Sequence, residues 1–323
     1  METIACGNSE RFRNVLDLAD RYAASQWPVL VLGETGVGKE LIARRIHKES
    51  HRRSEPFIEV NCAAIPDSLF ESELFGFERG SFSGAVQSSR GLIRAAHGGS
   101  LFLDEMGELN YTLQAKLLRF LDTGEVRSIG SQRSESADVR IIAATNVDLF
   151  RAAVQDTFRL DLLERLSVLQ LQVPPLRERM EDLPLIARCL LEQMGIRGSV
   201  DSEVLSQYHW PGNIRQLRNV LIRATVRQPG LPSAGLLKQV LEEEKEAAGR
   251  MEDDQVSFWD GSLEDIERKV IVERLRQCQG NRKLAAQRLG IAKSTLHEKL
   301  RRWKTESSYW PVVSSVDIGV HLH

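Results

Sequence analysis

The chain has 323 residues, 42% of them hydrophobic and 27% charged, with a formal net charge of −2 and a mean hydropathy of −0.27. That profile excludes a largely disordered chain, a collagen and a small disulfide scaffold, and the length suits roughly two domains. No apolar run reaches the ~18–20 residues of a membrane helix, and Met1 to Cys6 lacks the basic and apolar regions of a secretion signal.

In chain order, Pro28 to Leu32 is a short apolar run ending at Gly33 and reads as a buried strand. A helical pattern covers Lys39 to Lys48. Further strand-like runs lie at Phe57–Val60, Leu101–Leu103, Val139–Ala143 and Val168–Val173, mostly separated by helical patterns. Strands alternating with helices predict an α/β fold with a parallel sheet covered on both faces, spanning residues 1–174. After Pro174-Pro175 the strands stop. Residues 175–241 read as a small helical subdomain, broken at Gly195–Gly198, Trp210–Gly212 and Gln228–Gly230. An acidic stretch at 242–261 reads as a solvated helix end or linker. A third, all-α unit occupies 262–304, and the tail, 305–323, shows no clear period.

The net charge hides an asymmetry. From Ser262 to Lys304 twelve Lys/Arg face five acids, a segment charge of +7 that leaves −9 on the remainder. A basic module on an acidic body suggests nucleic acid at one end only. Cys6, Cys62, Cys189 and Cys278 form no CxxC pair, which argues against structural zinc and a disulfide framework and for a reducing cytoplasm.

Gly33, Glu34, Thr35, Gly36, Val37, Gly38, Lys39 and Glu40 follow a strand and open a helix. GxxxxGK in that setting is a P-loop. Glycines let backbone N–H groups turn toward phosphates, and Lys39 reaches the terminal ones. Glu40 stands where a Ser/Thr usually contacts Mg2+. Leu101 to Glu105 has the Walker B form, with Asp104 to hold Mg2+, directly or through water, and Glu105 to polarise the attacking water. Asn146 ends another core strand, where an amide can sense a γ-phosphate or simply make a turn. Arg159 and Arg165 are either arginine fingers for a neighbouring subunit or ordinary surface groups, with Asp161 and Arg165 at i,i+4 spacing. The Gly-flanked Phe82 suggests partner contact at a loop tip. Asn281 to Leu300 has helix-turn-helix form, with Gly290 at the turn; an ordinary basic helical hairpin is the alternative. A preceding apolar stripe, Ile266, Val270, Ile271 and Leu275, could serve dimerisation.

Together these motifs resemble the bacterial sigma-54-dependent transcriptional activators, enhancer-binding AAA+ proteins, over Gly7 to Lys304. The resemblance rests on GETGVGKE, NCAAIP, ESELFG, LFLDEMGEL, LQAKLLRFL, RIIAATN, PPLRER and WPGNIRQLRNV, followed by a Fis-type unit. Glu40 is what this family carries. The resemblance implies an AAA+ P-loop ATPase with a helical lid and a C-terminal helix-turn-helix domain, using ATP and Mg2+. It implies that Asn61 is the switch asparagine holding Glu105, Asn146 is sensor I, Arg159 and Arg165 act in trans, and Arg215 is the sensor II arginine. Gly80, Ser81, Phe82, Ser83, Gly84 and Ala85 correspond to the GAFTGA loop that engages sigma-54, with Ser81 for Ala and Ser83 for Thr. The exposed side of the second helix, with Lys293, Ser294, Thr295, His297, Lys299, Arg301 and Arg302, would meet DNA.

The expected function is a bacterial cytoplasmic activator with no membrane contact. It binds upstream DNA as a dimer, assembles to a hexamer, and uses ATP to remodel sigma-54 RNA polymerase holoenzyme. The match begins at Gly7 with no phospho-acceptor module ahead of it, so control is expected from a separate regulatory protein, expression level or co-assembly. The rivals are a DNA-binding regulator that no longer engages sigma-54 and an AAA+ remodeller of another protein.

Overall fold

The computed structural model describes residues 6–81, 87–259, 262–278 and 280–306, with backbone alone for 247–259 and 304–306. The strands are β1 (Val29–Leu32), β2 (Phe57–Asn61), β3 (Ser100–Asp104), β4 (Glu125–Val126), β5 (Glu135–Ser136), β6 (Arg140–Thr145) and β7 (Leu169–Gln172). The first helices are α1 (Glu10–Ala23), α2 (Lys39–Lys48), α3 (Asp67–Phe75), α4 (Leu92–Ala95), α5 (Tyr111–Thr123), α6 (Leu149–Val154) and α7 (Leu160–Leu166). They are followed by α8 (Leu183–Gln193), α9 (Ser202–Ser206), α10 (Asn213–Arg227), α11 (Ala234–Trp259), α12 (Leu263–Gln277), α13 (Arg282–Leu289) and α14 (Lys293–Glu306). The chain divides into two compact units between Glu242 and Glu243.

In the first unit five strands form a parallel sheet in the order β2-β3-β6-β1-β7. Side chains alternate across it with period two. Val29 and Val31 join Phe102, Ile142, Ala144 and Leu171 in a core shared with α1 and α2. Leu30 joins Leu101, Leu103, Ile141 and Ala143 in a second core shared with α3, α5 and α7. Burial on both faces is why these strands read as continuous apolar runs. At the amino end of β6 the buried Arg140 donates to the Tyr22 and Ala23 carbonyls at 2.6 and 2.9 Å. Those are carbonyls that the end of α1 leaves without helical partners.

The lid packs α8, α9, α10 and the start of α11 around Leu191, Leu205, Trp210, Leu217, Leu221 and Leu237. Trp210 is fully buried, stands edge-on to Tyr208 at 5.1 Å, and donates its indole N–H to the Leu205 carbonyl at 2.9 Å. Trp210→Ala should therefore cost about 3–5 kcal/mol, read as a lowered urea midpoint for the first unit.

The cysteines differ from expectation. Cys6 and Cys189 are paired as a disulfide, linking the segment before α1 to α8. They are 183 residues apart in sequence, so only the tertiary fold brings them together. The same strap is held by Asp182, which accepts from the Asn8 and Ser9 amides at 2.5 and 2.6 Å and from the Ser9 hydroxyl at 2.6 Å. Cys62 and Cys278 are free and buried.

In the second unit α12 starts with a reciprocal capping box between Ser262 and Asp265. Asn281 caps α13, and Gly290, at φ 68°, closes it in the left-handed region that favours glycine. Ile271, Cys278, Ala285, Ala286, Leu296 and Trp303 form the core, with Leu275, Ile291 and Leu300 against it. Of the apolar stripe, Ile271 is buried within the module, whereas Ile266, Val270 and Leu275 are half-buried. On the same helix Leu263 and Val272 are exposed.

Candidate functional site

The carboxyl ends of β1, β3 and β6 meet at the P-loop. Gly36 has φ +80° and Gly38 φ +102°, and a Cβ on Gly36 would lie 2.5 Å from the Gly212 carbonyl. The loop is therefore shaped both by backbone that only glycine adopts cheaply and by contact with the lid. Gly38 is the N-cap residue of α2, which places that helix's free N–H groups at the loop.

Lys39 is buried, at 5% exposure, under this arch. Its ammonium donates to the Gly33 and Glu34 carbonyls at 3.0 and 3.4 Å and lies 3.8 Å from Glu105. Burial pushes its pKa down, opposed by Glu105 and Asp104. Asp104, the last residue of β3, has its pKa raised by burial and then by the adjacent Glu105 carboxylate. Glu105 sits at φ +52°, a left-handed conformation rare for a non-glycine residue. That kink turns the chain out of β3 and brings the Glu105 carboxylate to Lys39. Among the described residues no group of three or more His, Cys, Asp or Glu side chains is arranged to hold a metal. The donor set fits Mg2+, which keeps several waters and takes one or two carboxylates plus substrate phosphates. The half-buried Asp104 beside the P-loop would supply that carboxylate.

Asn146 follows β6 and donates to the Thr35 hydroxyl at 3.0 Å, which places it against the P-loop. Asn61 differs from expectation. It pairs in register with Asp104, but its side-chain oxygen accepts from the Ala63 and Ala64 amides at 2.9 and 3.2 Å. Glu105 is paired with Lys39 and not with Asn61. A short amide at a strand end satisfies the next turn's N–H groups before it reaches a neighbouring strand. Glu40 pairs with Arg44, which also reaches Glu59 at 2.5 Å.

The surface pair between Asp161 and Arg165 that their i,i+4 spacing offered as the alternative does not form. Arg159 precedes α7 as its N-cap residue, pairs with Asp161 at 2.8 Å and lies 5.3 Å from the Tyr111 ring centre. Arg165 pairs with Asp122 at 2.8 Å and is 62% exposed. Neither arginine has a hydrogen bond or ion pair to the P-loop or to Asp104 and Glu105 of its own chain.

Several contacts at the loop come from residues the motifs contain but to which the sequence assigned no role. Arg177 clasps Glu34 through two bonds of 2.8 and 2.6 Å, and holds its carboxyl below the usual range. Asn213, fully buried at φ +52°, donates to Glu34 and to the Thr35 carbonyl, each at 3.1 Å. The Ile214 amide donates to the Gly36 carbonyl at 3.0 Å. Arg179, buried over the Phe12 ring at 4.3 Å, donates to the Val37 carbonyl at 2.9 Å; burial pushes its pKa down to about 10. Arg215 is exposed on the first turn of α10, with its Cβ against Gly36.

The segment that carries the GSFSGA sequence is flanked by a closed neck. Phe77 and Ser89 exchange two backbone bonds of 2.9 Å, and Gly76 and Gly91 touch so closely that a Cβ on either would meet backbone at 2.4 Å. Arg94, half of whose bonds go to the neck, donates to the Phe75, Arg90 and Val126 carbonyls and pairs with Glu135. Gly80 and Ser81 are described; Phe82, Ser83, Gly84 and Ala85 lie outside the described residues.

In the second unit Lys293, Ser294, His297, Arg301 and Arg302 are exposed and Thr295 is half-buried on α14. Arg282 lies 3.0 Å from the His297 ring nitrogen. Lys299 pairs with Glu267 at 2.8 Å and Arg302 with Glu264. Those two cations therefore face acids of α12, which phosphates would have to displace.

Comparisons with known proteins agree with this layout. Residues 5–172 match the family of the sigma-54 interaction domain, 177–253 the AAA+ ATPase lid domain, and 262–303 the bacterial regulatory protein, Fis family. The phenol regulator MopR of Acinetobacter guillouiae is 42% identical, with 92% of this chain and 56% of that protein covered. The response regulator protein PilR of Pseudomonas aeruginosa is 40% identical, covering 92% and 68%. Regulatory protein AtoC of Escherichia coli is 42% identical, covering 92% and 67%. The chain thus spans between about half and two thirds of the length of these relatives. Among solved structures, NtrX from Brucella abortus in complex with ADP superposes with a TM-score of 0.67 at 32% identity, covering 94% of this chain and 69% of that one. No helix among the described residues is long and apolar enough to cross a membrane. The parallel sheet, P-loop, lid and helix-turn-helix region, taken with these matches, show that the chain belongs to the sigma-54 activator family of AAA+ ATPases with a Fis-type DNA-binding region.

Proposed function

We propose that this chain is a bacterial cytoplasmic transcription activator that binds upstream DNA and hydrolyses ATP to remodel sigma-54 RNA polymerase. The observation that carries the reading is the convergence of Lys39, Asp104 and Glu105 beneath a glycine arch, on a chain that also carries a basic helix-turn-helix unit. ATP hydrolysis supplies the free energy. The P-loop amides and Lys39 bind the phosphates, Asp104 holds Mg2+ directly or through water, and Glu105 orients and polarises the attacking water. Asn146, through Thr35, lies where it can sense the terminal phosphate. Arg159 and Arg165, paired away from their own P-loop, suit a site completed by the neighbouring protomer of a ring. Arg215 enters from the lid. The Gly80–Ala85 segment, whose flanks are joined in a tight neck at Phe77 and Ser89, is the element that meets sigma-54.

The test is capture of sigma-54 in the presence of ADP and aluminium fluoride, a mimic of the transferring phosphoryl group. The wild-type chain should hold sigma-54 under these conditions. Phe82→Ala should lose capture and sigma-54-dependent transcription while keeping its melting temperature and ATP turnover. Capture by Phe82→Ala at the wild-type level removes the loop from its role. No capture by the wild type leaves a regulator, or a remodeller of another protein, in place of the sigma-54 activator.

DNA binding by the second unit should fall steeply with salt, because each phosphate contact releases a counterion. Lys293→Ala is expected to weaken binding across sequences and to lower the slope of log affinity against log salt by about 1. Electrophoretic shifts across a salt series read both quantities.

A further inference from the structure

Four consecutive residues of the phosphate-binding arch are tied to the start of the lid. Glu34 is held by Arg177 and Asn213, the Thr35 carbonyl by Asn213, the Gly36 carbonyl by the Ile214 amide, and the Val37 carbonyl by Arg179. Asn213 is the centre of this set. Its side-chain oxygen also accepts from the Leu176 amide at 2.7 Å, so one buried amide joins the P-loop, the segment entering the lid and the first turn of α10. It is held at φ +52°, a conformation that Asn tolerates better than most residues. A buried amide that uses both of its donors and its oxygen to join three segments needs a reason beyond starting a helix. The sensor II arginine expected from the sequence, Arg215, is two residues further on. The placement of Asn213 therefore also fixes how Arg215 approaches Gly36.

We propose that Asn213 is a positioning residue for nucleotide binding: with Glu34 and Arg177 it forms a latch through which the first turn of the lid sets the shape of the phosphate-binding arch. This rests on the ATPase reading above and adds to it a route by which lid and phosphate site respond to one another. The Arg177–Glu34 pair is half-exposed, so its own contribution is screened by solvent, whereas the amide bonds of Asn213 are buried and are not. When the latch is intact, residues 34–37 are held ready for phosphate. When it opens, the arch is free to relax and affinity for ATP falls.

The chemistry offers a near-isosteric test. Asn213→Asp keeps the backbone conformation and the acceptor for Leu176, but removes the two donors and sets a second carboxylate against Glu34. Its Kd for Mg·ATP, measured with a fluorescent ATP analogue, should rise about tenfold. kcat at saturating ATP should stay within about twofold, since Glu105 and Asp104 are untouched. Adding Glu34→Gln in the Asn213→Asp background restores a donor–acceptor pair with the roles exchanged, and should recover at least half of the lost affinity on a logarithmic scale. A purely structural asparagine would lower the melting temperature and would not be rescued by Glu34→Gln. An unchanged Kd for Asn213→Asp, or a folded double variant without recovery, overturns the latch. Should Asn213→Asp fail to fold, Arg177→Ala carries the test. A rise in Kd of about threefold supports the latch and no rise overturns it. A wild-type chain that binds no ATP overturns the ATPase reading and the latch together, whereas normal wild-type binding with an unresponsive Asn213 overturns the latch alone.

Discussion

Glu105→Ala is expected to retain ATP and to lose its turnover, with the steady-state rate of phosphate release falling by about 10²–10⁴, the usual contribution of a positioned general base. The carboxylate is partly exposed, 3.8 Å from the Lys39 ammonium, and projects from a backbone kink at φ +52° immediately after Asp104. Removing it leaves the P-loop, Lys39 and Asp104 in place. It also removes one negative charge from a cavity built for a polyphosphate, so affinity for ATP should hold or improve. Lys39→Ala should do the opposite. The ammonium lies buried under the arch, where it donates to the Gly33 and Glu34 carbonyls beside Glu105, so its loss weakens binding itself. Phosphate release and direct nucleotide titration on the two variants separate these outcomes. Wild-type turnover by Glu105→Ala would take the general-base role from that residue and leave Asp104 to explain hydrolysis.

The second large effect belongs to the arginines. Arg159→Ala or Arg165→Ala alone should reduce turnover by about 10³ or more, since an arginine finger contributes about 10³–10⁵. Neither side chain reaches the nucleotide site of its own chain: Arg159 pairs with Asp161 and Arg165 with Asp122. Mixing either variant with Lys39→Ala should restore part of the activity, because one protomer keeps an intact P-loop while its neighbour keeps the arginines. Specific activity of the wild type should also rise with protein concentration as the shared sites form. Failure of the mixture to recover any activity, with both variants shown to co-assemble, would remove the arginines from a trans role. Their surface ion pairs with Asp161 and Asp122, each at least partly solvated, would then be their whole contribution, and a small one.

Much of this was legible before any tertiary structure. Leu30, Leu101 and Ile141 lie in apolar runs because both faces of a parallel sheet are buried, and run boundaries at Gly33, Asp104 and Asn146 mark strand ends at which ligands sit. Gly290 closes α13 at φ 68° and the small residues Ala285 and Ala286 are buried in the core of the C-terminal unit, as their residue types suggest. Not legible was which partner each charged or polar group would take. Asn61 serves its own turn, Arg165 meets Asp122 and not Asp161, and Lys299 and Arg302 turn to acids of α12. A short-range rule offers several partners of similar energy, and packing at long range chooses among them.

The sequence by itself determined the chemistry available to this protein. A GxxxxGK loop after an apolar strand, an Asp-Glu pair ending another, and a +7 helical unit at one end are local patterns, readable because hydrophobic period, glycine conformation and charge act over a few residues. Only the tertiary structure decided how the pieces are joined. Glu34 and Arg177 are 143 residues apart, Asn213 lies 179 from Glu34, and Cys6 and Cys189 are 183 apart. Contacts at that separation leave no periodic trace, because they depend on the summed path of every intervening helix and strand. The bonds of Asn213 to the P-loop and the Cys6–Cys189 bridge exist only because the tertiary fold seats the lid against that loop.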